Sequence, residues 1–461
     1  MLRIPGLAAL LLATAAFAAR SQPLPAEVES ALAQSKLPRD AVTLLVAPAE
    51  GGAPRLAHRT EVPVNPASVA KLVTTFAALE LLGPAFSWST PVYLDGPVLG
   101  GTLQGNLVIQ GRGDPKLVAE RVWLLLRRVQ GLGVRRIAGD ILLDRSAFDV
   151  PPQDPGAFDG EPLRPYNAAP DALLLNFRSL VITFVPQGEV ARVHVEPPLA
   201  PMQAPATVPL AAGPCNDWRG ALKADFSDPS RIRFQGALPA ACGEVSWPVA
   251  STDPQGYAAR AIAGMWQQLG GQLTGQVREG RAPAGLKPAF SWPSPPLAEI
   301  VRDVNKFSNN VMAQQLWLTL GLQQRGAGSF DNGREAMRAW WRDRIGGELP
   351  AIENGSGLSR NDRITARQLA QVLQAAWASP VMSELMSSLP ASGTDGTLRR
   401  AKGIAGLAHL KTGSLRDVTG VAGYVDGANG RRWVLVAIAN HPNAAAVRPV
   451  VDALVAWAAQ Q

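Results

Sequence analysis

Between about residue 86 and residue 285 this chain changes character, and that break limits the folds open to it. Inside the region, short apolar runs alternate with turns of Gly, Pro and Asp: Asn106-Leu107-Val108-Ile109, Ile141-Leu142-Leu143, Leu180-Val181-Ile182-Thr183-Phe184 and Val190-Ala191-Arg192-Val193. Runs of this length between turn residues read as strands. One helix near 119–131 interrupts them and a Pro-rich stretch covers 197–214. A helix near 257–269 and a strand near 272–277 close the region. The flanks are patterned differently. Helices are expected over 26–34, 297–304, 311–322, 365–377 and 445–459. Val42 to Val46 reads as a buried strand followed by a Gly51-Gly52 turn. Asn65 as N-cap and Pro66 at the first helical position open a helix that ends at Gly83-Pro84. A strand at Leu410-Lys411-Thr412 precedes a hairpin with arms 421–425 and 433–439. The pattern therefore predicts an α/β (α+β) chain, in which both chain ends build one module and β-rich modules are inserted between them. With 461 residues and 47% hydrophobic content, each can bury a core.

The chain is basic, with a formal charge of +7 and a pI near 9.7. Its basic residues are scattered, and no run exceeds Arg-Arg, as at Arg127-Arg128 and Arg135-Arg136. Without a stripe or a recognised motif this excludes nucleic acid as a partner and leaves at most peripheral attraction to a membrane. Arg3, the apolar stretch Leu7 to Phe17 and the small-x-small run Ala16-Phe17-Ala18 read as a secretory signal over 1–18, which implies a periplasmic protein. In an oxidising compartment Cys215 and Cys242 are best read as a disulfide. The four histidines, His58, His194, His409 and His441, lie far apart with no ligand-type partner nearby, so no metal site is expected.

Three short runs carry chemistry. Ser68-Val69-Ala70-Lys71 opens a helix, where residues i and i+3 share a face. A serine hydroxyl needs a base within hydrogen-bond reach, and Lys71 can serve once it is neutral. Burial and a second cation would lower its pKa, and Lys411 is the candidate cation. Lysine occurs eight times among the 44 basic residues; arginine, which the chain otherwise prefers, cannot lose its proton. Ser308-Asn309-Asn310 offers a second hydroxyl, to relay a proton to a leaving amine, and an amide to hold a substrate backbone. Lys411-Thr412-Gly413-Ser414, on a strand edge, offers a cation and a hydroxyl for a carboxylate, with Gly413 allowing close approach to the backbone. Each run alone is common; their ordered combination marks a site. No G-x-S-x-G elbow and no G-x-x-x-x-G-K-[ST] phosphate loop is present.

In this order the runs match the S-x-x-K, S-x-N and K-T-G set of penicillin-binding proteins and β-lactamases. The first two lie 240 residues apart (308 − 68), far more than a β-lactamase allows. That spacing resembles the peptidase S13 family, the penicillin-binding-protein-4 type of D-alanyl-D-alanine carboxypeptidase and endopeptidase. Gly113-Asp114-Pro115, Leu143-Asp144-Arg145, Pro165-Tyr166-Asn167-Ala168, Cys215-Asn216-Asp217-Trp218, Asn354-Gly355-Ser356-Gly357-Leu358-Ser359-Arg360 and Leu389-Pro390-Ala391-Ser392-Gly393-Thr394 extend the likeness over nearly the whole mature chain.

The resemblance implies a transpeptidase-like catalytic domain over 19–85 and 288–461, an antiparallel sheet flanked by helices. It implies an inserted domain over 86–160 and 251–287, and a second over 161–250 that holds the cysteine pair. By the same resemblance Ser68 is the acylated nucleophile, Lys71 its base, and Ser308 with Asn310 the second element. Lys411 and Thr412 anchor the substrate carboxylate, and the N–H groups of Ser68 and Ser414 form an oxyanion hole. Arg360 and Asp144 are the candidates to meet the side chain of the penultimate stem residue. The implied partners are peptidoglycan stem peptides ending in D-Ala-D-Ala and, as covalent inhibitors, β-lactams; no cofactor is implied. The competing readings are an inert wall-binding module, which the intact motif set argues against, and an esterase or β-lactamase on the same fold.

Overall fold

The computed structural model describes residues 23–461, so the signal-peptide reading over 1–18 lies outside the described residues. Both chain ends meet in one antiparallel sheet. Its strand order is Ala408–Leu415, Val418–Asp426, Arg432–Asn440, Val42–Pro48 and Leu56–His58. Side chains alternate across a strand, and the run 433–439 uses both faces. Val434, Val436 and Ile438 pack into one core with Leu72, Phe76, Leu316 and Trp317. Trp433, Leu435 and Ala437 pack into another, against Val28, Leu32 and the last helix, Arg448–Ala459. Helices therefore cover the sheet on both faces.

The first of these cores holds the functional elements. The helix Lys71–Leu82 and the helix Asn310–Arg325 are buried along most of their length. A helix absent from the sequence expectations, Phe330–Arg344, packs on them through Ala336, Met337, Trp340 and Trp341. Ala366–Trp377 starts at a capping box in which Thr365 and Gln368 satisfy each other's backbone N–H.

The inserted region carries a five-stranded sheet ordered Val277–Glu279, Ile141–Asp144, Asn106–Gln110, Ser89–Asp95 and Phe290–Pro293, with parallel pairs at its first two steps. A four-stranded sheet of two-residue strands lies beside the helix Ala119–Gly131. A third sheet is built from Leu238–Pro239, Thr207–Ala211, Val190–Glu196, Ser179–Gln187 and Val245–Ala250. Most of the buried apolar side chains of this region, from Val92 to Phe290, form one cluster, and Tyr93, Val108 and Leu142 form a small second one on the other face of the first sheet. Cys215 and Cys242 are joined by a disulfide. Among the described residues no helix is long and apolar enough to cross a membrane.

Candidate active site

The nucleophile candidate does not sit on an α-helix. Residues Ala67–Ala70 form a 3-10 turn, and the α-helix begins at Lys71. The expected cap is shifted: Pro66, not Asn65, is the N-cap of this turn, and Asn65 stands before it, accepting the Ala67 N–H on Oδ1 at 2.8 Å. Ala67, however, is in the left-handed region (φ 47°). The tightness is imposed from both sides. A Cβ on Gly357 would lie 1.9 Å from the Ala67 carbonyl, and one on Gly413 would lie 2.6 Å from the Pro66 carbonyl and 3.1 Å from the Ser68 nitrogen. Gly413 thus admits the backbone of Ser68 itself. In a 3-10 turn i and i+3 eclipse, which stacks Ser68 over Lys71.

Lys71 is wholly buried. Its Nζ lies 2.9 Å from Ser68 Oγ, 2.7 Å from Asn310 Oδ1 and 2.5 Å from the Ser356 carbonyl. The last two can only accept. Asn310 is held in that orientation because its Nδ2 donates to the Tyr166 carbonyl at 3.1 Å. A neutral amine has two N–H groups and one lone pair. With both N–H groups committed to Asn310 and Ser356, the lone pair is left for the Ser68 hydroxyl. Burial, reinforced by Lys411, holds the Lys71 pKa well below its usual 10.5. Asp362, buried nearby and itself pushed up to about 6 by burial, opposes this only in part.

Lys411 is also wholly buried. It donates to Ser308 Oγ at 2.8 Å and to the Thr412 carbonyl at 2.7 Å, and burial brings its pKa down to about 7. Ser308 occupies the left-handed cap (φ 57°) between the helix Leu297–Phe307 and the next helix, whose N-cap is Asn309. Because Ser308 Oγ accepts from Lys411, its own proton is free to point elsewhere. Thr412 Oγ1 pairs with Thr397 Oγ1 at 2.7 Å.

These groups face a cleft of about 540 Å³. Ser68, Ser308, Asn310, Ser414 and Arg360 line it, as do Phe158, Asp159 and Tyr166 from the inserted region. Of the residues marked from sequence, Lys71 and Lys411 touch this lining through Ser68, Asn310 and Ser308, Thr412 and Gly413 are not part of it, and Asp144 lies apart from it. It ends the buried strand Ile141–Asp144 and is 3% exposed. Its carboxylate accepts from Gln110 Nε2, the Ala282 N–H and the Ser146 N–H, so it anchors a strand end. The acid in the cleft is Asp159, which accepts from Tyr166 Oη and Asn167 Nδ2, both at 2.8 Å. Arg360 lies over the Phe158 ring, 4.6 Å from its centroid, and donates to Asp417 at 3.1 Å. Sequence reasoning also missed the Tyr166 and Ser356 carbonyls as supports of the base, although both lie in segments singled out for their family likeness.

Two lysine–serine pairs facing one cleft, beside an antiparallel sheet covered by helices, define a serine acyl-transfer enzyme of the penicillin-binding class. Residues 24–461 match the D-Ala-D-Ala carboxypeptidase 3 (S13) family, and the chain belongs to it. The D-alanyl-D-alanine carboxypeptidase DacB of Haemophilus influenzae is 26% identical over 390 residues, 81% of this chain and 80% of the relative. A D-alanyl-D-alanine carboxypeptidase of an Actinomadura species is 30% identical over 391 residues, 79% of this chain and 71% of the relative. The crystal structure of penicillin binding protein 4 (dacB) from Haemophilus influenzae has a TM-score of 0.75 to this one at 23% identity. The match covers 93% of this chain and 98% of that one. That protein has also been solved in complex with a β-lactam. As a member of this family the chain is a serine-type D-Ala-D-Ala carboxypeptidase.

Proposed function

We propose that Ser68 attacks the peptide carbonyl between the two D-alanines that end a peptidoglycan stem peptide. Neutral Lys71 takes the hydroxyl proton as the Oγ–C bond forms. The N–H groups of Ser68 and Ser414 hold the oxyanion, a type of contact worth roughly 3–4 kcal/mol per donor. The C–N bond then breaks, Ser308 passes a proton to the departing D-Ala nitrogen, and water hydrolyses the ester left on Ser68. Lys411 and Thr412 receive the terminal carboxylate. A β-lactam would acylate the same oxygen and leave slowly. The same acyl transfer would also cut cross-links, in which a second stem peptide stands in place of the departing D-Ala. The Cys215–Cys242 disulfide supports an exported, periplasmic enzyme.

The observation that carries this reading is the position of Lys71 Nζ, 2.9 Å from Ser68 Oγ and within hydrogen-bond distance of two groups that can only accept, the Asn310 Oδ1 and the Ser356 carbonyl. Its test is intact-protein mass spectrometry after brief exposure to benzylpenicillin, with peptide mapping. One adduct on the peptide containing Ser68 is expected. A folded protein that takes up none would overturn the reading.

The two depressed lysines give a pH signature. Acylation rises with pH as Lys71 loses its proton. Attraction of a carboxylate falls as pH passes about 7, where Lys411 loses its charge. The expected kcat/KM profile for carboxylate-ended substrates is a bell with its falling limb near neutrality; a profile flat across neutrality would contradict these assignments. The same lysine also makes stability depend on pH. Between about 7 and 10.5 the unfolded chain keeps a proton on Lys411 that the folded chain has lost, so this contribution to stability rises with pH across that window.

Arg360 and Asp159 set a cation and an anion in one cleft. They suit a stem side chain that carries both a carboxylate and an amine. Arg360→Gln is expected to raise KM for such peptides roughly ten- to a hundred-fold, the loss of one charge-assisted hydrogen bond. Acylation by benzylpenicillin, which lacks that side chain, should stay within about two-fold. Equal loss with both would make Arg360 a support of the loop instead.

A further inference from the structure

The outer face of the helix Ala119–Gly131 and the turns beside it is built unlike the rest of the surface. The helix buries Val122, Leu125, Leu126 and Val129. Its opposite side then follows from the 3.6-residue repeat: Trp123 and Leu124, then Arg127 and Arg128, then Gly131 and Leu132, all exposed. Trp123 is 41%, Leu124 47% and Leu132 42% exposed. The turn between the strands Val98–Leu99 and Thr102–Leu103 abuts the end of this helix. The Gly101 carbonyl accepts from the Arg135 and Arg136 N–H groups. That contact brings Leu99, 61% exposed, and the exposed side chains of Arg135 and Arg136 to the same end of the molecule. Four of the large hydrophobic side chains left in solvent therefore stand among four arginines.

Those arginines are not neutralised from within. Among the described residues none of Arg127, Arg128, Arg135 and Arg136 has a carboxylate within 4.0 Å, although the chain does pair arginines on its surface elsewhere, as at Arg334, Arg338 and Arg367. Arg127 lies 5.8 Å from the Trp123 ring centroid and donates to Gln130, and Arg128 lies 4.9 Å from the Phe290 ring centroid. The nearest acids in sequence are Glu120, in the first turn of the helix, and Asp140, which is paired with Arg278.

We infer that this face docks on the surface of an anionic phospholipid bilayer. Trp and Leu enter the boundary between headgroups and acyl chains, and the arginines meet lipid phosphates. The charge selects this occupant. A second copy docking by the same patch would set arginine against arginine across a two-fold axis. The face is also a helix surface with two flanking turns, with no groove for an extended chain. The nucleophile lies in the module built from the chain ends, and the patch lies in the inserted region, so binding a bilayer leaves the catalytic residues untouched.

Cosedimentation with vesicles of phosphatidylcholine alone, and of phosphatidylcholine mixed with phosphatidylglycerol, tests this. The protein is expected to pellet with the mixed vesicles only, and less so as salt screens the charges. Replacing three arginines (R127Q, R135Q and R136Q together) should lower partitioning roughly a hundred-fold, at about five-fold for each. W123S with L124S should weaken it at every salt concentration. Both variants change exposed side chains only. They should keep the parent's melting temperature and its rate of acylation by benzylpenicillin, which establishes that they fold. Failure of the parent protein to bind mixed vesicles at low salt would overturn the inference, as would variants that bind like the parent. Patch-dependent binding to isolated cell-wall sacculi in place of vesicles would assign the face to wall polymer and also overturn it. So would a dimer in sedimentation velocity that the variants dissociate.

Discussion

Ser68→Ala is expected to lose D-Ala release by roughly 10⁴- to 10⁶-fold, the scale seen when the nucleophile of a serine hydrolase is removed. It should also take up no benzylpenicillin adduct. The fold has little reason to notice the change. Ser68 is half-buried, and among the described residues its hydroxyl makes one side-chain hydrogen bond, with Lys71. The turn that carries it is held by Asn65, Gly357 and Gly413. Lys71 keeps two acceptors in the mutant, Asn310 and Ser356. The melting temperature should therefore stay close to that of the parent, which separates a chemical loss from a structural one. An adduct that persists in Ser68→Ala would put the nucleophile elsewhere.

Lys71→Arg is the second large effect, and it asks what kind of help Ser68 receives. If the group beneath the serine were needed only as a positive charge, arginine would retain much of the rate. If it must take a proton, arginine fails, because its guanidinium does not deprotonate in a protein. A positioned general base contributes roughly 10²- to 10⁴-fold, and a loss of that order in the acylation rate is expected. Guanidinium is bulkier than ammonium and this site is closed to solvent, so Lys71→Met is the companion variant. It is similar in length, apolar and equally unable to accept a proton. Both should acylate slowly while the Met variant melts like a folded protein. Acylation of either within ten-fold of the parent would remove Lys71 from the role of base.

The candidate lysines and serines could be picked out because each belongs to a run of three or four residues with a set spacing. Such spacing survives whatever the chain does in between. Asp159 was not legible. Whether Asp144 or Asp159 meets the cleft depends on the path of residues 145–166, which carry neither a helical nor a strand repeat, and Asp144 was singled out by family resemblance alone. Its strand is paired on both edges, with Asn106–Gln110 and with Val277–Glu279, and that tertiary fact puts its carboxylate beyond reach. The helix Phe330–Arg344 went unmarked for a local reason. Its buried residues are spaced at helical intervals, but seven charges and Gly333 lie among them and dilute the apolar stripe. Gly413 was noticed for a substrate's approach, whereas the closest atoms belong to the turn carrying Ser68. A motif names the residue that must be small without naming what it must be small for.

The strand Val42–Pro48 has a consequence for how such a chain comes to be. It lies between Leu56–His58, a few residues on, and Arg432–Asn440, close to the other terminus, with Val42 opposite Ala439. A two-stranded pairing of this kind is marginal alone. Ribosomal synthesis delivers the first partner early and the second almost last. The intervening modules have a large core of their own, so they can begin to form while the opening strand waits. Contacts of such long sequence separation slow folding more than they weaken it, because the cost of closing a loop grows only with the logarithm of its length. The turn that carries Ser68 takes its final shape only when Gly413 arrives, so this enzyme becomes competent at the end of its own folding.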